Sequence, residues 1–216
     1  MLDELFQPLP FSDFLFMIKQ PLSLSQWGQF LEPIPHSAEF LTLNFSLNSE
    51  NRLQRWRNYG LSADFLGDYF ANFFPGNELT PNPISQQDAI KGSVSYIANE
   101  LLENAVKYTA IANNAPITIT LRLYDQKIIF ETRNITDFDN AEKYQIFIER
   151  LLKNDPSELY IEQLEKSALG NSDESHIGLL TMINDYHAQF GWQFVPVADS
   201  ESFVWVTVLT HLDIAL

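Results

Sequence analysis

The sequence predicts an α+β fold: a two-layer α/β sandwich with a mixed, mainly antiparallel sheet covered by helices on one face. Three observations predict it. Stretches such as Phe40–Leu47 and Ile117–Leu123 alternate apolar and polar residues, the period of a half-buried strand. A long helical pattern runs from Ser85 to about Ile111 between them. Strand pairs joined by short turns then return further along, and a sheet with one apolar face needs helices to cover it. At 216 residues the chain suits a single domain, 1–216.

Taken in order, the first 35 residues hold Pro8, Pro10, Pro21, Pro33 and Pro35, which break residues 1–38 into a short strand-helix extension. A strand is expected at Phe14–Ile18 and a helix from Ser23 to just before Pro33. Phe40–Leu47 is a strand. Residues 51–74 are helical and aromatic-rich, with an interruption near Gly60. Asn77–Pro83 is a turn-rich connection. Ser85 begins the long helix, and Asp88 three residues on makes a weak variant of the capping box.

Strands at Ile117–Leu123 and Lys127–Thr132 form a hairpin around Tyr124–Gln126. Helices follow at 139–153 and 156–168, the second with Asp155 as cap, Pro156 in its first turn and Glu158 after it. Leu169–Ser175 is small and polar, a mobile loop. A helix at Ile177–Phe190 is expected to end on a left-handed Gly191. Strands at Trp192–Val197 and Phe203–Thr210 close the pattern.

Composition excludes several functions. Hydrophobic residues make up 45% and aromatics 13%, ample for a core. With no cysteine there is no disulfide scaffold, thiolate zinc site, iron–sulfur cluster or catalytic thiol. The net charge of −15 repels a phosphate backbone, so neither nucleic acid nor an anionic membrane is an expected partner. Residues 51–137 nevertheless hold 8 of the 13 Lys and Arg residues, so that stretch tolerates one bound triphosphate. A signal peptide and a membrane span are not expected, and a cytoplasmic location is. Walker-type and dinucleotide glycine loops, H-E-x-x-H and G-x-S-x-G are all missing. His36, His176, His187 and His211 show no metal-ligand spacing and are expected as surface or partly buried side chains.

The informative stretch is Asn99–Tyr108 (NELLENAVKY). On a helix, Glu100, Asn104 and Lys107 fall within about 60° of one another, beside an apolar stripe of Val94, Ala98, Leu101 and Ala105. A carboxylate, an amide and an ammonium so aligned can hold a metal–triphosphate, the amide oxygen being a hard ligand for Mg²⁺. The plainer alternative is a solvated helix face with a Glu103–Lys107 pair worth about 0.3 kcal/mol.

Glu100-x-x-x-Asn104-x-x-Lys107-Tyr108 resembles the N-box of the GHKL (Bergerat-fold) ATPases, the histidine-kinase-like ATPase group that includes anti-sigma-factor serine kinases. Ser175–Asn184 resembles the second glycine box with Gly178 kept, and Ser202–Val208 resembles the closing strand. The chain is also similar to SiaB-type protein kinases of bacterial partner-switching systems. The resemblance implies that Glu100 is the catalytic carboxylate and Asn104 the Mg²⁺ ligand. It likewise implies nucleotide contacts from Lys107, Tyr108, Asn134, Gly178 and Ser202. Asn134 stands where the family has an adenine-reading Asp; the alternative for Asn134–Asp137 is a turn after a strand. Residues 138–175 occupy the place of the ATP lid.

Two departures stand out: the first glycine box is absent, and His176 replaces the first glycine of the second. The implied function is an ATP- and Mg²⁺-dependent protein kinase acting on a Ser or Thr of a partner protein, such as a small STAS-like domain. A homodimer is left open. The alternative is a degenerate GHKL fold that regulates a partner without catalysis.

Overall fold

The computed structural model describes residues 24–46, 52–75, 85–110, 115–168, 176–198, 200 and 202–214, with backbone alone over 52–57. The elements expected at Phe14–Ile18, Asn77–Pro83 and Leu169–Ser175 lie outside these residues. In chain order the elements are β1 (Ser25–Gly28), β2 (Glu39–Phe45), α1 (Arg52–Ala71), α2 (Gln86–Lys107), β3 (Ile117–Leu123) and β4 (Lys127–Asp137). They continue with α3 (Phe138–Lys153), α4 (Pro156–Ala168), α5 (Ile177–Tyr186), β5 (Gln189–Pro196) and β6 (Phe203–Asp213).

The fold is α+β, a six-stranded sheet in the order β1-β5-β6-β4-β3-β2 beneath a layer of helices. Every strand pair is antiparallel, so the expected parallel component is absent among the described residues. The inner face carries Ile117, Ile119 and Leu121 of β3, Ile128 and Phe130 of β4, and Trp192 and Phe194 of β5, all almost wholly buried. Val94, Ala98, Leu101 and Ala105 of α2 are buried against this layer as the apolar stripe requires. No described helix is long and apolar enough to cross a membrane.

Local chemistry explains most element ends. Ser85 Oγ accepts from Asp88 N (3.0 Å) and donates to the Asp88 carboxylate (2.7 Å), so the cap closes hydroxyl to acid. The β3–β4 hairpin closes through Tyr124 N donating to Lys127 O (2.9 Å). Asp155 Oδ1 accepts from Ser157 N (2.7 Å) at the start of α4.

Four expectations fail, each where tertiary geometry overrides a local signal. Residues 24–32 are not helical: Ser25–Gly28 is an edge strand on β5, with Trp27 edge-on to Phe194 at 5.4 Å. Gly28 has φ of 63°, and a Cβ there would overlap Phe190 O. A right-handed helix cannot pass through such a residue. The helix over 52–71 runs through Gly60 unbroken, since one helical glycine costs only about 1 kcal/mol. The last helix stops at Tyr186, and the left-handed residue is His187 (φ 53°) rather than Gly191. The His187 and Ala188 amides both donate to Met182 O, which leaves Phe190 and Gly191 free to enter β5. Finally, β4 continues beyond its expected end at Thr132 to Asp137, so of the two alternatives for Asn134–Asp137 the turn does not hold.

β1 and β2 lie at opposite edges of the sheet, so residues 29–38 cross from one to the other on the face away from the helices. The Gln29–Phe30 backbone lies directly over Gly191. Gln29 O meets His211 Nε2 at 3.0 Å, and Pro35 O accepts from the Tyr124 hydroxyl at 2.6 Å. Ser37 Oγ donates to Leu123 O at 2.6 Å.

Candidate nucleotide site

β4 runs without a loop into α3, because Asp137 caps the helix that follows it. Its Oδ1 accepts from Asn140 N and its Oδ2 from Asn140 Nδ2, both at 2.8 Å. This fixes α3 against β4, and α2 packs on the same strand. Between them lies a cavity of about 40 Å³, closed below by β4 and β6 and flanked by the start of α5.

The strand face changes character along β4. Ile128 and Phe130 belong to the core, but Thr132, Asn134 and Thr136, which alternate onto the same face, line the cavity. All three are buried, Thr136 to 2% exposure and Asn134 to 6%. Asn134 pairs with Val206 in register with β6. Thr136 Oγ1 and the Tyr108 hydroxyl have no hydrogen-bond partner in the protein. A buried hydroxyl left unpaired costs roughly 1–3 kcal/mol, so two in one cavity form a place where a ligand's polar atoms are favoured.

Aromatic rings form the opposite wall. Tyr144 is half-buried, and its hydroxyl accepts from Trp192 Nε1 (2.9 Å); burial pushes its ionisation far above the ordinary tyrosine range. Tyr108 stands nearly parallel to Tyr144, with centroids 6.4 Å apart. The His176 ring, at the cap of α5, stacks on Phe147 at 3.7 Å and lines the cavity.

The three aligned residues of α2 divide between different surroundings. Asn104 lines the cavity together with Tyr108. Glu100 is half-buried beside the first turn of α5, its carboxyl packed on Gly178: a Cβ on Gly178 would lie 2.7 Å from Glu100 Cδ. A side chain at residue 178 would displace the Glu100 carboxyl from this position. Burial first, and the neighbouring Glu103 second, hold the Glu100 carboxyl above its ordinary range, which strengthens it as a proton acceptor. Lys107 is exposed, with Nζ 5.0 Å from the Tyr108 ring centre. Glu103 accepts from Asn99 Nδ2 at 2.8 Å.

Of the residues singled out from sequence, Asn104, Tyr108 and Asn134 line the cavity, and Glu100 and Gly178 meet beside it. Ser202 does not line it; its carbonyl accepts from Phe138 N (3.1 Å) where β6 begins. Thr132, Thr136, Asn140, Tyr144 and His176 were not anticipated. The spacing of Thr132, Asn134 and Thr136 on one strand face was the readable signal for the first two. Among the described residues no group of three His, Asp or Glu could hold a metal, so a bound Mg²⁺ would need oxygen ligands from the nucleotide beside Asn104.

The fold is therefore that of a two-layer α/β sandwich with a mainly apolar cavity, carrying a few polar side chains, between sheet and helices. It is similar to a chain in the crystal structure of the SiaB-SiaC complex from Pseudomonas aeruginosa. The TM-score is 0.52 at 13% sequence identity, over 79% of this chain and 89% of that one. No protein-family model and no curated protein matches the chain.

Proposed function

We propose that the protein binds Mg·ATP in this cavity and transfers the γ-phosphoryl group to a Ser or Thr of a partner protein, within a partner-switching signalling system. The observation that carries this reading is the cavity itself: buried, unpaired Thr136 and Tyr108 hydroxyls beside Asn104, with Glu100 one helical turn away. With the His176 ring displaced from Phe147, the base occupies the Thr132–Asn134–Thr136 face. The phosphates extend past Asn104 toward the start of α5, where backbone N–H groups favour anions. The Asn104 amide oxygen would hold Mg²⁺, which would supply charge neutralisation when bound.

Glu100 takes the proton of the incoming hydroxyl. A bond forms from that oxygen to the γ-phosphorus, and the bond from the γ-phosphorus to the β–γ bridging oxygen breaks, releasing ADP. Likeness to a chain from a two-protein complex supports a protein as acceptor.

A second reading has its own observation. At about 40 Å³ the cavity is too small for a purine while His176 stacks in it, as expected of a fold kept for binding a partner without catalysis. Radiolabel transfer from [γ-³²P]ATP to small STAS-like candidate partners separates the two. The kinase reading expects labelled Ser or Thr, and a loss of about 10²–10⁴-fold in Glu100→Ala. Transfer unchanged in that variant removes Glu100 from the chemistry.

A further inference from the structure

We infer that, with the His176 ring moved off Phe147, the cavity accepts purine nucleotides with either a 6-amino or a 6-oxo group, because every side chain able to read the base edge both donates and accepts. This rests on the nucleotide-binding reading and specifies its substrate class. No Asp, Glu, Lys or Arg lines the cavity. The acid nearest in sequence, Asp137, is already used: both of its oxygens accept from Asn140 at 2.8 Å.

Asn140 and Tyr144 are engaged with Asp137 and Trp192, and Asn104 faces the phosphates; the groups left are the Asn134 amide, the Thr132, Thr136 and Tyr108 hydroxyls and the His176 ring, with the Thr136 and Tyr108 hydroxyls unpaired within the protein. A carboxylate only accepts, so it favours a base presenting an amino group. An amide presents a carbonyl oxygen and an NH₂ side by side, and by turning over it pairs with either pattern. A 6-amino purine offers N6–H as donor and N1 as acceptor. A 6-oxo purine offers O6 as acceptor and N1–H as donor. Hydroxyls rotate to suit both. The backbone imposes no preference of its own here, because Asn134 lies within the β4–β6 ladder opposite Val206.

The test compares Mg·ATP, Mg·ITP and Mg·tripolyphosphate by calorimetry on the full chain. ITP carries the 6-oxo edge without the extra amino group of guanine. The expected result is ATP and ITP dissociation constants within tenfold, with tripolyphosphate more than tenfold weaker than both. Asn134→Asp is expected to raise the preference for ATP over ITP at least tenfold. Should a buried carboxylate unfold that variant, Asn134→Leu is expected to weaken both nucleotides while leaving their ratio unchanged.

ITP weaker than ATP by more than tenfold in the wild type overturns this inference and leaves ATP binding intact. Tripolyphosphate as tight as the nucleotides shows that no base is read and overturns it too. An unchanged preference in folded Asn134→Asp, or undiminished binding of both nucleotides in Asn134→Leu, removes Asn134 as the reader. Binding of none of the three overturns both this inference and the nucleotide reading beneath it.

Discussion

The two halves of β4 share one sheet face and do opposite things. Ile128 and Phe130 are completely buried among apolar neighbours, and in that half polarity would be a defect. Four residues on, Thr132, Asn134 and Thr136 are just as buried, yet they carry polar atoms, one of them unpaired. The first half is stabilised by what it excludes. The second carries a cost in the free protein that a ligand would remove. The boundary falls where α2 offers Asn104 and Tyr108 in place of another aliphatic layer.

The contrast is broken most forcefully from the apolar side. Phe130→Ala empties a fully buried site and is expected to cost about 3–5 kcal/mol in urea unfolding. A loss below about 1 kcal/mol would mean that this half is not the core described. On the polar side the sign reverses. Thr136→Val removes an unpaired buried hydroxyl at nearly constant volume. It is expected to raise the melting temperature by roughly 2–4 °C while weakening nucleotide binding about fivefold to tenfold. A variant that is less stable would show that Thr136 has a structural partner and would erase the difference between the halves.

The smallest effect belongs to the face away from both. Burial holds His211 below its ordinary value of 6.5, outweighing the hydrogen bond to Gln29 O, with Lys127 also lowering it and Asp213 opposing. The unfolded chain therefore binds the proton more readily. Stability is fully present above the unfolded value and is lost as pH falls through it toward the folded one. Between pH 7.5 and 5.5 the wild type is expected to lose about 1–3 °C more in melting temperature than His211→Gln. Equal losses would detach His211 from the crossing segment's stability.

Much of the fold was legible because its signals are local. The Ser85 cap, the Tyr124–Gln126 hairpin and the Asp155–Pro156 start each depend on neighbours within a few residues. The failures depend on distant partners. Ser25–Gly28 is a strand because β5 offers it an edge, and a cap signal at Ser23 carries no information about that edge. Gly191 sits under residues 29–30, so its small size serves packing rather than a helix end.

The site shows the same division. Helix periodicity aligned Asn104 with Glu100 and Lys107, and the N-box resemblance added Tyr108, but only the assembled sheet reveals Thr136 beside them, and only the α2–α5 contact shows Gly178 against the Glu100 carboxyl. Lys107 shares a helix face with Glu100 and Asn104, yet its ammonium is exposed over Tyr108, outside the cavity.

The central claim is that the polar half of β4 and the facing turn of α2 form a metal-dependent nucleotide site. Titrating Mg·ATP against the wild type and Asn104→Ala in a thermal-shift experiment tests it most directly. At a hundredfold excess over the dissociation constant, the account predicts about 2.7 kcal/mol of stabilisation in the wild type, dependent on Mg²⁺ and absent in the variant. No shift in the wild type at millimolar Mg·ATP, or the same shift in both proteins, contradicts it.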